Sequence, residues 1–265
     1  MKRSTLARAA LATPTAVIVL GLIVAPLALT VATSFARMNV ITFELRYDWN
    51  LDSYREMLDG VYTSSLVRSL ELSALATIGS IVCALPLAFV LSQAPRRWQL
   101  ILFGLITVPF WTSFVIRIYA WENLLYALGL EREIGKLWVL EVGMVVTYLP
   151  FAVLPIAATL GRLDRSLVDA AGDLGSHGYR LFRRVVFPLA RPGIAAAALL
   201  VGIPATGEVI VPQVLGGGKT LMLGNVMQTQ FLQLGNRPLG SAIAIALMGI
   251  LAVYALVVRA LGGGA

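Results

Sequence analysis

Six uncharged runs divide this chain, and they constrain its fold more than any other feature. They cover 9–36, 72–95, 98–116, 142–161, 192–207 and 238–258. The fifth is followed by Glu208 and ten further uncharged residues before Lys219. A helix needs about 20 apolar residues to cross the hydrocarbon core of a bilayer. Composition agrees with that scale. Of 265 residues, 58% are hydrophobic and 13% charged, about half the charged share of a soluble domain. Mean hydropathy is +0.82, more apolar surface than a soluble fold can hide. Lipid accepts only helices or closed barrels as spanning structure, and the two-residue alternation of a barrel strand is absent. The expected fold is all-α: a polytopic membrane protein with six transmembrane helices.

Charges between the runs set the expected orientation. Lys2, Arg3 and Arg8 precede the first run, as in a signal peptide. The run is longer than the roughly 7–15 apolar residues of such a peptide, so it reads as a retained first helix. Segment 37–59 holds three basic and five acidic residues, and Arg96 and Arg97 form the next link. The third link carries Glu122, Glu131, Arg132, Glu133 and Lys136. Segment 162–191 has six basic and three acidic residues. Lys219 and Arg237 come next, and Arg259 closes the series. This alternation predicts both termini in the cytoplasm, one domain over 1–265, and 162–191 as the main cytoplasmic segment. The net charge of +7 therefore reports membrane topology and not nucleic-acid binding. Trp98, Trp121 and Trp138 lie near run ends, as interfacial anchors or as ordinary packing. Segment 48–60 reads as a short amphipathic external helix or an irregular loop.

Catalytic and metal chemistry find little support. Cys83 is the single cysteine, so no intramolecular disulfide is expected, nor a metal cluster, and no cofactor is expected. Gly216-Gly217-Gly218-Lys219-Thr220 resembles half of a phosphate-binding loop, but Gln213 stands where the first glycine is needed. The chain is not expected to hydrolyse ATP or to be an enzyme.

Segment 167–194 is the most informative. Asp169, Ala170 and Ala171 favour a helix, Gly175 can end it, and Pro188 and Pro192 bracket the return to the membrane. The physical reading is a short helix, a turn and a second short helix beneath the bilayer, with small residues able to enter a groove of another protein. Arg180, Arg183 and Arg184 could meet anionic headgroups or only enforce orientation. An ordinary basic loop is the alternative.

The spacing Asp169-Ala170-Ala171, three residues, Gly175, nine residues, Val185-Val186-Phe187-Pro188 resembles the EAA loop of ABC-importer permeases. That pattern is Glu-Ala-Ala, three residues, Gly, nine residues, Ile-x-Leu-Pro. Asp for Glu, Val185 for Ile and Phe187 for Leu keep charge sign and apolar character. The stretches 108–125, 203–232 and 236–240 resemble spermidine/putrescine-type permeases, closest to the first of the two permease subunits. The resemblance covers about 60–265. It implies the type I ABC-importer permease fold in the inner membrane of a bacterium. It implies a paired second permease, two cytoplasmic ATPase subunits and an external solute-binding protein. The loop would dock on the ATPase through Asp169, Ala170, Ala171, Asp173, Gly175 and Pro188, with His177 exposed as contact or bystander. The implied cargo is a small cationic solute such as a polyamine. An opine, an amino-acid derivative or another compatible solute is the alternative within the class. A secondary transporter would show paired repeats, and none is evident.

Several membrane residues are pathway candidates. Glu208 interrupts an apolar stretch, where a carboxylate is costly and faces a cavity or a partner; lining the path and a structural role are equal alternatives. Pro204 and Gly207 beside it imply a kink or an early helix end. Trp111, Ser113 and Tyr119 could line a cation's route, because ammonium groups bind aromatic faces; helix packing is the alternative. Arg117 is expected to be structural or to meet a binding protein. Glu141 begins the fourth run near the same face. Pro86, Pro150 and Pro155 are gate or packing prolines.

Overall fold

The computed structural model describes residues 2–39, 42–161, 165–173 and 176–262, with side chains from residue 18 onward except those of 165 and 167–169. The helices are α1 (Lys2–Ser34), α2 (Asp52–Glu56), α3 (Gly60–Gln93), α4 (Arg96–Thr107), α5 (Phe114–Ala127), α6 (Leu137–Leu160), α7 (Arg165–Asp173), α8 (Tyr179–Leu181), α9 (Phe187–Thr206), α10 (Ile210–Val214), α11 (Leu223–Gln228) and α12 (Arg237–Gly262). A two-residue hairpin, β1 (Arg37–Met38) and β2 (Leu45–Arg46), pairs antiparallel with Arg37 opposite Arg46. Among the described residues four helical stretches are long and apolar enough to cross a membrane: 60–93, 137–160, 179–206 and 237–262. The bent pair formed by 96–111 and 114–127 makes a fifth. The apolar part of α1 whose side chains are described, Ile18–Ser34, is shorter.

The chain divides into two compact units, 1–63 with 227–250 and 64–226 with 251–265. In the first, the Phe35 ring just past α1 lies 5.6 Å from Trp49 and 5.3 Å from Tyr54. The Asn50 amide donates to the Phe35 carbonyl at 3.1 Å. The external helix expected over 48–60 forms only as α2. Trp49 sits at φ +50°, a left-handed conformation that a helix does not accept. Asn50 Oδ1 then takes the Asp52 amide at 2.9 Å, a local turn that competes with helix. The Arg37–Asp52 ion pair at 2.7 Å has both side chains more than half exposed, so it contributes little to stability. Elsewhere in this unit, Gln230 Nε2 donates to the Tyr62 hydroxyl at 3.2 Å.

The second unit is built on α6 and α9, its most extensive helix pair. Gly193 explains how close they come. A Cβ there would lie 2.9 Å from Ile156 Cα and from the Pro155 carbonyl. Small residues at such crossings let backbones meet in lipid, where packing rather than the hydrophobic effect holds helices together. α3 contributes a seam of buried hydroxyls, Ser69, Ser73, Thr77 and Ser80. Ser80 Oγ donates to the Val145 carbonyl at 3.3 Å, Thr206 Oγ1 to Ser73 Oγ at 3.1 Å, and Ser69 Oγ accepts the Leu223 amide at 2.7 Å. One polar stripe thus ties α3 to α6, α9 and α11. α3 also begins at Gly60, ahead of the uncharged run at 72, because Arg68 and Glu71 are exposed and do not interrupt the helix.

Two expectations need correction. The third run is not one straight span: α4 and α5 meet at 98°. Pro109 lies in a tight turn over Val108–Trp111, Thr112 is extended (φ −106°, ψ 146°), and α5 restarts after Ser113. Proline removes a backbone donor and crowds the preceding turn, and the extended Thr112 ends the helix there. The second short helix of 162–191 is not separate either. α8 continues through a wide turn over Phe182–Val186 into α9, as one helical stretch of 28 residues. Pro188 therefore stands within the first turn of α9 and does not bracket it. A proline is tolerated at that position because the wider turn before it re-registers the backbone hydrogen bonds.

Candidate functional site

Two helix breaks in the second unit carry the pathway candidates. The first follows α9. Pro204 lies in its last turn, Gly207 ends it, and α10 starts three residues on. Glu208 occupies the gap and is buried, at 6% exposure. Its Oε1 accepts the amides of Val209 (3.0 Å), Ile210 (2.9 Å) and Val211 (3.4 Å). Those are amides that open α10, and a carboxylate there satisfies orphan donors and meets the positive end of the helix. The Tyr148 hydroxyl on α6 donates to Oε2. Both oxygens are therefore engaged, and the carboxylate holds the break open as a defined structure.

The returning chain closes over this break. A Cβ on Gly224 would lie 2.7 Å from the Glu208 carbonyl oxygen, so only glycine fits where α11 crosses it. Asn225 Nδ2 donates to the Val209 carbonyl at 2.8 Å, and its Oδ1 accepts the Met222 amide at 3.3 Å. Gly217 and Gly218 lie at φ +55° and +71°. The glycine stretch is thus a left-handed turn between α10 and α11, and the Gly135 amide bonds the Leu215 carbonyl beside it at 2.9 Å. Sequence reasoning marked Glu208 but missed Tyr148, Gly224 and Asn225. A tyrosine in an apolar run and the Gly-Asn pair were the available signals.

The second break, between α4 and α5, holds Trp111 and Ser113. Trp111 is 89% exposed, and Ser113 is exposed. Tyr119 stands further along α5, 49% exposed. The turn is anchored by Phe110, whose ring meets Phe151 of α6 edge-on at 4.8 Å. α4 itself has no buried residue. The two breaks are linked because α10 packs on both α5 and α6. Arg117, in the first turn of α5, lies 5.8 Å from the Phe114 ring and has a buried Nε without a hydrogen-bond partner. Glu141 on α6 likewise has a buried, unpartnered Oε1. In the link before α6, the Glu133 carboxylate accepts Lys136 and, at 3.0 Å, the Trp138 indole. These bonds hold its pKa below the usual carboxylate value.

The candidates of segment 162–191, apart from Pro188 in α9, lie on α7 and just before α8. Ala170 and Asp173 are exposed, and Ala171 is half-buried. Gly175 and the side chain of Asp169 lie outside the described residues. The Ser176 amide returns to the Ala171 carbonyl at 2.9 Å, and Gly178 at φ +55° opens α8. His177, Arg180, Arg183 and Arg184 are exposed.

No family model matches the chain. It is 34% identical over 247 residues to the spermidine/putrescine transport system permease protein PotB of Escherichia coli K12, across 88% of this chain and 89% of that protein. PotB of Haemophilus influenzae is 33% identical over 86% of this chain and 84% of its own length. The inner membrane ABC transporter permease protein YdcU of E. coli is 28% identical over 86% of this chain and 81% of its own. Among solved structures, a chain of a bacterial ABC transporter that imports the acidic polysaccharide alginate superposes with a TM-score of 0.76 at 16% identity, covering 98% of this chain and 96% of that one. A chain of a bacterial alginate ABC transporter in complex with an alginate pentasaccharide-bound periplasmic protein gives 0.73 at 15% identity, over 97% and 94%. With its apolar helices, its one bent span and this likeness over 88% of its length, the chain belongs to the PotB family of inner-membrane ABC-transporter permeases.

Proposed function

We propose that this permease forms half of the translocation path of an ATP-driven importer for a small cationic solute of the spermidine and putrescine kind. The observation that carries the reading is the 34% identity to E. coli PotB over 88% of the chain. The whole chain acts as one permease domain with six crossings: α1, α3, the bent pair α4–α5, α6, the continuous α8–α9, and α12. Both termini lie in the cytoplasm, in keeping with the basic residues of the N-terminal tail and of 162–191. A second, similar permease completes the path, an external binding protein delivers the solute, and two ATPase subunits supply the energy.

Segment 162–191 docks on the ATPase through Asp169, Ala170, Ala171, Asp173, Gly175 and Pro188. The unbroken run from Tyr179 to Thr206 supports this role. At 28 residues it is a rod of about 42 Å, so displacement beneath the membrane reaches the Glu208 break directly. Coupling between distant sites needs such an element with more than one position. Trp111, Ser113 and Tyr119 line the path, where aromatic faces attract ammonium groups by roughly 0.5–2 kcal/mol each. Glu208 serves the path by holding its wall.

The test is ATP-dependent uptake in proteoliposomes holding both permeases, the ATPase and the binding protein. Putrescine and spermidine are expected to accumulate, and an opine and a neutral solute are not. Hydrolysis without polyamine uptake would remove the cargo assignment. In the same system Gly175→Trp is expected to weaken recovery of the ATPase with the permease. Unchanged recovery and hydrolysis would remove the docking role of the loop.

A further inference from the structure

We propose that Glu141 binds the ammonium group of the passing solute. Glu141 lies in the second turn of α6, inside an apolar span. One of its oxygens, Oε1, is buried without a hydrogen-bond donor, and no ion pair reaches it among the described residues. The two acidic residues associated with α6 are thus opposites. Glu208 is satisfied by three amides and the Tyr148 hydroxyl; half-buried Glu141 keeps one buried oxygen without the donor it requires there. The missing ligand is a cation with N–H donors. The basic residue nearest in sequence, Lys136, is bonded to Glu133. Arg117 lies against Phe114.

Position along the helix adds a direction. Residues 141, 145 and 148 share one face at helical spacing. On that face the Val145 carbonyl receives Ser80 of α3, and Tyr148 holds Glu208. The adjoining face carries Trp138, Val142 and Val146, which are 49%, 44% and 38% exposed. Glu141 therefore stands at the border between the packed interior and an open surface of the subunit. A carboxylate is not stable against lipid tails, which is why we assign the open surface beside it to the path. Glu141 is only half-buried, so part of its side chain already lies at the surface. An ammonium group offers the N–H donors it lacks and leaves again with the solute, whereas a fixed cation would block passage.

This assignment rests on the cationic-solute reading, and the test separates the two. Wild type, Glu141→Gln and Glu141→Asp are compared in the complete transporter in proteoliposomes, at saturating solute-loaded binding protein. Spermidine and putrescine uptake, stimulated ATP hydrolysis and recovery of the second permease are followed. The amide is expected to lower uptake about tenfold, as for loss of a charged hydrogen bond, and to change the ratio of spermidine to putrescine transported. The aspartate is expected to retain most of the rate. Hydrolysis and subunit recovery stay at wild-type levels in both. Equal uptake by wild type and Glu141→Gln overturns the assignment. So does loss of the second permease from Glu141→Gln, which would make the missing cation a group of that subunit. Wild type that imports neither polyamine sinks the cargo reading itself, and Glu141 falls with it.

Discussion

Glu208 shows what a single residue decides here. Its carboxylate joins three amides of one break to a tyrosine of another helix. Glu208→Ala leaves those donors without an acceptor, and buried donors left unmet cost about 1–3 kcal/mol each. We expect it to lower stability by about 3 kcal/mol or more, read as the thermal transition of the purified permease in detergent. Tyr148→Phe removes one bond and is expected to cost about 1–2 kcal/mol. If Glu208→Ala leaves the transition unchanged while uptake collapses, the residue acts on the solute and not on the wall. An isolated carboxylate in an apolar run was visible in the sequence as exceptional. Its partners were not, because Tyr148 is 60 positions away and only packing of α6 against α9 brings the two together.

At the scale of elements, membrane-spanning stretches were legible and their ends were not. Hydrophobicity is a local property, so each uncharged run lies largely in helix. Where a helix begins depends on its surroundings. α3 starts twelve residues before its uncharged run because Arg68 and Glu71 stay exposed on the helix. The third run broke because Pro109 and the extended Thr112 act together with the Phe110–Phe151 contact. In segment 162–191 a short helix around Asp169, Ala170 and Ala171 was legible, and the structure places it in α7 (Arg165–Asp173), but α8 joined α9 through a turn whose wider hydrogen bonding has no simple sequence signature. α7 offers a direct test. Ala170 is exposed, so Ala170→Trp adds bulk on its outer surface and leaves the interior of the permease untouched. ATP hydrolysis stimulated by the loaded binding protein is expected to fall about tenfold, equivalent to about 1.4 kcal/mol of lost docking, with the thermal transition unchanged. Undiminished hydrolysis would show that this surface meets no partner.

At the scale of the whole molecule, the proposed topology makes opposite predictions for two exposed positions. With Cys83 replaced by serine as background, His177→Cys is expected to react with a membrane-impermeant thiol reagent only in inside-out vesicles. Glu44→Cys is expected to react only in intact spheroplasts. Reaction of both from one side would overturn the six-crossing arrangement. The amino-acid sequence by itself determined that this chain lives in a membrane, roughly where its helices run, and that one basic segment, 162–191, carries a permease-like spacing. Those properties are written in neighbouring residues, since burial in lipid selects for apolar runs and orientation follows local charge. The tertiary structure alone decided which charges are satisfied. Glu208 found amides and a tyrosine, while Glu141 and Arg117 kept unpartnered atoms, because the partner of a polar group in an apolar medium is chosen by how distant helices pack.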